Sequence, residues 1–196
     1  MTLSSHCSFE LPAWVGPFLS GWPQALSSLD LRMQLAIALS KESVQRKTGG
    51  PFAALVVNDE TGELVSVGVN LVTSAGLSIA HAEMVALSLA QTALGQWNLS
   101  RAGKLQLVTS CEPCAMCYGA LPWSGIASLI CGARKQDAEA AGFDEGDKPG
   151  QWVRSLQRRG IQVQRGVLRK EAASVLAYYR DIGGPIYNAN HAGDET

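Results

Sequence analysis

His81-Ala82-Glu83, followed downstream by Pro113-Cys114-Ala115-Met116-Cys117, is the stretch from which the rest of the chain can be read. One imidazole and two cysteines make three zinc ligands and leave the fourth position open for water. Glu83 stands two residues past the histidine and can handle that water's proton. A spacing of three puts Cys114 and Cys117 on one face of a helix. Pro113 suits the first helical position, where its missing N–H costs nothing. Both cysteines then lie in the first turn, near unsatisfied backbone donors and the positive end of the dipole. Both effects favour thiolate, the form that binds zinc. His81 opens a helix of its own, so a second helix N-terminus can face the metal. The bland alternatives are buried small hydrophobes for the cysteines and dipole compensation for a lone Glu83. Pro, His and Glu falling into one pattern weigh against both.

Working outward, Asp30 is a good N-cap for a helix through about residue 46, with Met33, Ile37 and Val44 apolar and Gly49-Gly50 ending it. Residues 52–57 and 64–69 read as paired strands around a Thr61-Gly62 turn. Residues 80–93 read as helix, 105–109 as strand, 113–121 as a short helix and 129–132 as a short strand. Residues 152–158 read as helix, 161–167 as strand and 170–180 as helix. This alternation predicts an α/β domain, a three-layer α/β/α sandwich with helices on both faces of a mixed sheet. The expected domain spans 29–182. Residues 1–28, rich in Ser, Pro and Trp, read as an irregular arm that Trp14, Phe18 and Trp22 could pack against the body or a partner subunit. Residues 183–196 read as a coil tail.

The chain has 196 residues, 46% of them hydrophobic and 17% charged, with a formal net charge of -1. That is the composition of one globular domain. No Lys/Arg-rich block is present, which argues against a nucleic-acid binder held by general charge. Cys7, Cys111, Cys114, Cys117 and Cys131 form an odd, clustered set that fits metal chemistry in a reducing compartment better than disulfides. Cys111, Cys114 and Cys117 form CxxCxxC, yet the ferredoxin continuation is missing after Cys117. Cys111 is expected in the core or beside the ligands. His6 and His191 have no partner motif. No apolar stretch could span a membrane, no signal peptide is expected, and the expected location is cytoplasmic.

H-x-E followed by P-C-x-x-C is the pattern of the zinc nucleobase deaminases. Over nearly its whole length the chain resembles the cytidine deaminase superfamily, and within it the bacterial guanine deaminases. The resemblance rests on Gly50-Pro51-Phe52-Ala53-Ala54, Ala80-His81-Ala82-Glu83, Thr109-Ser110-Cys111-Glu112-Pro113-Cys114 and Trp123-Ser124-Gly125. It rests also on Gly142-Phe143-Asp144-Glu145-Gly146 and Ile186-Tyr187-Asn188, of which the Phe-Asp-Glu loop and the aromatic tail are the more diagnostic.

The resemblance implies a homodimer, with exchange of C-terminal segments between subunits as one form of it. It implies zinc held by His81, Cys114 and Cys117, with Glu83 as proton shuttle. Asn70 and Ala82 would contact the base, Phe52 and Phe143 would contact or stack on it, and Tyr187 and Asn188 would close the site with the tail. Glu145, or its neighbour Asp144, would be a second acid near the leaving amine. Plain readings stand beside these: a strand terminator for Asn70, core packing for the phenylalanines, an acidic turn for Asp144-Glu145. The expected reaction is hydrolytic deamination of a free base, guanine to xanthine plus ammonia, with triazine amines such as ammeline as further substrates. The rivals are a tRNA adenosine deaminase, a cytosine or cytidine deaminase, and a non-catalytic zinc-binding protein.

Overall fold

The computed structural model describes residues 3–188. His191 and the last part of the expected tail lie outside the described residues. A short α1 (Val15–Leu19) precedes α2 (Leu29–Gln45), β1 (Ala53–Asn58) and β2 (Leu64–Val69). Next come α3 (Val72–Ala75), α4 (Ala82–Leu94), β3 (Leu105–Cys111), α5 (Ala115–Ser124) and β4 (Ser128–Ala133). The chain continues through α6 (Lys135–Ala140), α7 (Trp152–Gln157), β5 (Gln162–Arg165) and α8 (Arg169–Asp181).

The strands form one mixed sheet in the order β2-β1-β3-β4-β5. β1 runs antiparallel to β2 and β3, while β3, β4 and β5 are mutually parallel. The alternation of side chains across a strand builds both layers. Ala53, Leu55 and Val57 of β1 pack with Met33, Ala36 and Leu39 of α2. Ala54 and Val56 face the other way, with Ala82, Ala86 and Ala90 of α4. All of β3 and β4 is buried, as a two-sided parallel core demands, whereas β5 is an exposed edge. The three-layer α/β/α expectation is met.

Three local expectations are corrected. The cap of α2 is Ser28, whose hydroxyl accepts from the Leu31 N–H at 3.2 Å, and Asp30 falls inside the first turn, where its charge still suits the dipole. Pro113 lies outside α5, whose N-cap is Cys114 in extended backbone. The arm is not wholly irregular: α1 includes Pro17, tolerated because a first-turn N–H has no intrahelical partner. Trp14, Phe18 and Trp22 do pack against the α2 layer, and Trp14 Nε1 donates to Thr48 Oγ1 at 3.1 Å.

The close approach of α4 to β2 requires Gly68. A Cβ there would collide with the Ala82 carbonyl and crowd the Ala86 N–H. Only a residue without a side chain lets the start of α4, with His81 and Glu83, sit against the sheet. No helix among the described residues is long and apolar enough to cross a membrane.

Candidate active site

Two helix N-termini meet at the end of β3. His81 is the N-cap of α4 and Cys114 the N-cap of α5. One turn into α5, Cys117 points the same way. The ligand atoms of His81, Cys114 and Cys117 lie within 4.8 Å of one another, and His81 Nδ1 is 3.5 Å from Cys114 Sγ. One nitrogen and two sulfurs, converging from buried or half-buried positions, fit a tetrahedral zinc site with an open corner. The Cys114 thiol is held down to about 4, first by the Cys117 thiol donating to it and then, against the pull of burial, by His81. Cys117 moves the opposite way, because it is the donor of that bond and is deeply buried.

Glu83 follows in the first turn of α4 and is 6% exposed. Burial raises its pKa, and Cys114 adds to the rise while His81 opposes it. Beside the ligands lies a cavity of about 210 Å³. Phe52, Asn70, His81, Glu83, Cys114, Phe143, Glu145, Tyr187 and Asn188, all singled out in the sequence, line it, as do Asp144 and Glu112. Cys117 and Ala82 do not line it: Cys117 is buried behind Cys114, and the Ala82 side chain is fully buried among Ala54, Val56 and Ala86.

Asn70 directly follows β2, 1% exposed, and its Oδ1 accepts from the Val72 N–H at 3.2 Å, which fixes the orientation of the amide. Phe143 packs edge-on to Phe52 at 4.8 Å and tilted to Tyr187 at 5.2 Å, so one wall is aromatic. The tail closes over that wall from the same chain. Asn188 Oδ1 accepts from the Asp144 N–H at 3.0 Å, and its Nδ2 donates to the Gly142 carbonyl at 2.9 Å. Tyr179 Oη donates to the Pro185 carbonyl at 2.7 Å. The Tyr187 ring presses so closely on Gly50 that a Cβ there would collide with it.

Of the two adjacent acids, Glu145 turns inward and Asp144 outward. Asp144 Oδ1 accepts from the Gly146 N–H at 2.8 Å. Glu145 is 5% exposed, and burial, with Cys114 nearby, pushes its carboxyl up to about 8. Its Oε2 and the Tyr187 hydroxyl are buried without a hydrogen-bond partner among the described residues. Orphaned polar atoms facing a small cavity mark where a polar ligand would bond.

Glu112 is the cavity residue that the sequence reading passed over. It is 3% exposed, accepts from Arg165 Nε at 2.6 Å and from the Lys135 N–H at 3.3 Å. The only signal was its place between Cys111 and Pro113. Cys111 itself is buried in the core at the end of β3.

A zinc triad at paired helix N-termini, a buried glutamate beside it and a mixed sheet beneath define a class of hydrolytic deaminase. Residues 27–133 match the model of the cytidine and deoxycytidylate deaminase zinc-binding region, and the chain belongs to that family of zinc-dependent hydrolases. The solved structure of a guanine deaminase from Nitrosomonas europaea is similar at 40% identity and a TM-score of 0.85, covering 92% of this chain and 100% of that one. The guanine deaminase of Bacillus subtilis (strain 168) is 39% identical over 113 residues, 58% of this chain and 69% of that protein. The tRNA-specific adenosine deaminase of the same strain is 33% identical over 159 residues, 78% of this chain and 89% of that protein.

Proposed function

We propose that this chain hydrolyses the amino group of a free nucleobase, with guanine converted to xanthine and ammonia. The observation that carries this reading is the small tail-covered cavity, with the unpaired Glu145 Oε2 and Tyr187 Oη beside the ligand triad. At about 210 Å³ it falls below the roughly 300–1,000 Å³ of pockets for drug-sized ligands, which suits one heterocycle better than a nucleoside. The donor set of His81, Cys114 and Cys117 fits zinc, which when bound would supply Lewis-acid activation of water.

The remaining work belongs to side chains. The Phe52 and Phe143 rings contact the base, and the Asn70 amide offers it a donor or an acceptor. Glu83 takes a proton from the attacking water and gives it to the ring nitrogen beside the amino-bearing carbon. Glu83 then takes the proton of the added hydroxyl as the carbonyl forms and the carbon–nitrogen bond breaks, and the departing amine takes that proton from Glu83, directly or by way of Glu145, and leaves as ammonia. Tyr187 and Asn188 exclude bulk water.

The similarity to a tRNA-specific adenosine deaminase favours a second reading, deamination within RNA. The tail bonded across the 142–146 loop opposes it, since a polymer would have to displace Asn188. The net charge of -1 also offers no general attraction for phosphates. Ammonia release from zinc-loaded protein should be measured with guanine, guanosine, cytosine, cytidine, adenine and ammeline in parallel. Turnover of guanine and not guanosine is the expected result. Activity confined to a pyrimidine, a nucleoside or a tRNA would overturn the guanine assignment.

The proposal includes a homodimer. Trp123 is 77% exposed and Trp97 70% exposed, and Asn98, next to Trp97, lies against Gly125, two residues from Trp123. Apolar groups of this size in the open suit a partner surface. Light scattering should give a dimer mass for the native chain and a shift towards monomer for Trp123→Glu; a native monomer would sink the idea.

A further inference from the structure

Between the metal turn and the edge of the sheet lies a cluster that the reaction does not use. Trp152, the first residue of α7, is 7% exposed. Arg165 of β5 and Lys148 both stand over its ring, with Arg165 Cζ at 5.3 Å and Lys148 Nζ at 5.0 Å from the centroid. Each cation also holds one of the two residues before Cys114. Arg165 Nε pairs with the Glu112 carboxylate at 2.6 Å, and Lys148 Nζ donates to the Pro113 carbonyl. From the other side of the turn, Tyr118, next to Cys117, meets the Trp152 ring edge-on at 6.4 Å.

We infer that Trp152 is a positioning residue which, through Lys148 and Arg165, holds Glu112-Pro113 and so fixes Cys114 for the metal. The inference rests on the reading of His81, Cys114 and Cys117 as the zinc ligands. The physical case has three parts. Cys114 is an N-cap in extended backbone: α5 holds its carbonyl, which accepts from the Tyr118 N–H at 2.8 Å, while its N-terminal side takes its direction from Glu112 and Pro113. The Glu112 side chain is 2% exposed, so its charge needs a partner where it stands, and Arg165 supplies that partner at Oε1 from a place over the indole, beside the Lys135 N–H at Oε2. The indole face attracts cations more strongly than other aromatic rings, so the same ring orders both side chains. Groups that orient metal ligands from behind commonly set affinity by ten- to a hundredfold.

The test compares Trp152→Leu, Trp152→Phe, Lys148→Met, Lys148→Arg and Arg165→Gln in the full chain. Zinc affinity is read by competition with a chromophoric chelator, ligand geometry by the visible spectrum of the cobalt-substituted protein, and folding by thermal melting. Trp152→Leu should weaken zinc binding by about tenfold or more and shift the cobalt bands. Trp152→Phe should lose less, and Lys148→Arg should stay near the native value because guanidinium also stacks on an indole. Lys148→Met leaves the core intact, so it carries the test if Trp152→Leu does not fold. Melting temperatures that fall while affinity and cobalt spectrum hold would overturn the inference and leave Trp152 a plain core residue. A native chain that takes up no zinc would overturn the metal-centre reading and this inference together.

Discussion

Glu83→Gln should reduce turnover by about a hundred- to ten-thousandfold while the protein keeps its zinc and its affinity for the base. The amide has the shape of the carboxylate and can still bond to a water, but it cannot take a proton from it. Glu83 is suited to the shuttle because it is nearly buried and its pKa is raised by that burial, so its carboxylate is a stronger base for the water's proton. It sits in the first turn of α4, one peptide beyond Ala82, and that turn is seated by Gly68. The substitution should therefore leave His81, Cys114 and Cys117 undisturbed. Metal content by atomic emission, binding of guanine by calorimetry and ammonia release give the three readings. A variant that still turns over guanine would remove Glu83 from the mechanism. A variant that loses zinc would show the carboxylate to be part of the metal site.

The triad and Glu83 were legible because their chemistry is local. Two short motifs each place their residues by helical spacing, and only the meeting of the two helices had to come from the fold. The layered architecture was legible for a similar reason, since β1 is nearly all apolar, β3 and β4 carry apolar stretches, and α2 and α4 are long. The short helices α1, α3 and α6 were not. α6, with the sequence Lys-Gln-Asp-Ala-Glu-Ala, is too short and too polar for any periodicity to emerge. Glu112 was hidden for a different reason. A buried carboxylate is recognisable only through its partner, and Arg165 lies on another strand, far along the chain. Neither could the sequence decide between Asp144 and Glu145. That choice follows from loop backbone, where Asp144 folds back onto the Gly146 N–H and so turns Glu145 inward. Ala82 was singled out with its motif neighbours, but its side chain went to the sheet, as a first-turn residue facing β2 must.

Glu145→Gln should stabilise the chelator-stripped chain by about 3–5 kcal/mol at pH 8.5 and have little effect near pH 4. Burial and the adjacent Cys114 push this carboxyl up to about 8 from an ordinary value of 4.5. Between those two pH values the unfolded carboxyl has released its proton while the folded one retains it. The folded state then binds more protons, so stability falls as pH rises, by about 1.4 kcal/mol per unit for full ionisation. The stabilising share is complete below the unfolded value and is lost on the way to the folded one. Above pH 8 both forms are ionised and the penalty is constant. Glutamine has nearly the same shape and no such proton, so the wild-type and variant curves should meet in acid and separate steadily towards pH 8. Urea unfolding across that range measures the gap. Zinc should narrow it, because a nearby cation favours the carboxylate. Parallel curves at all pH values would mean that Glu145 ionises normally and has water or a cation that offsets its burial. A widening gap would mean that the fold holds a destabilised acid at the mouth of its cavity. Such a cost is what a residue kept for proton transfer carries, the role proposed for Glu145.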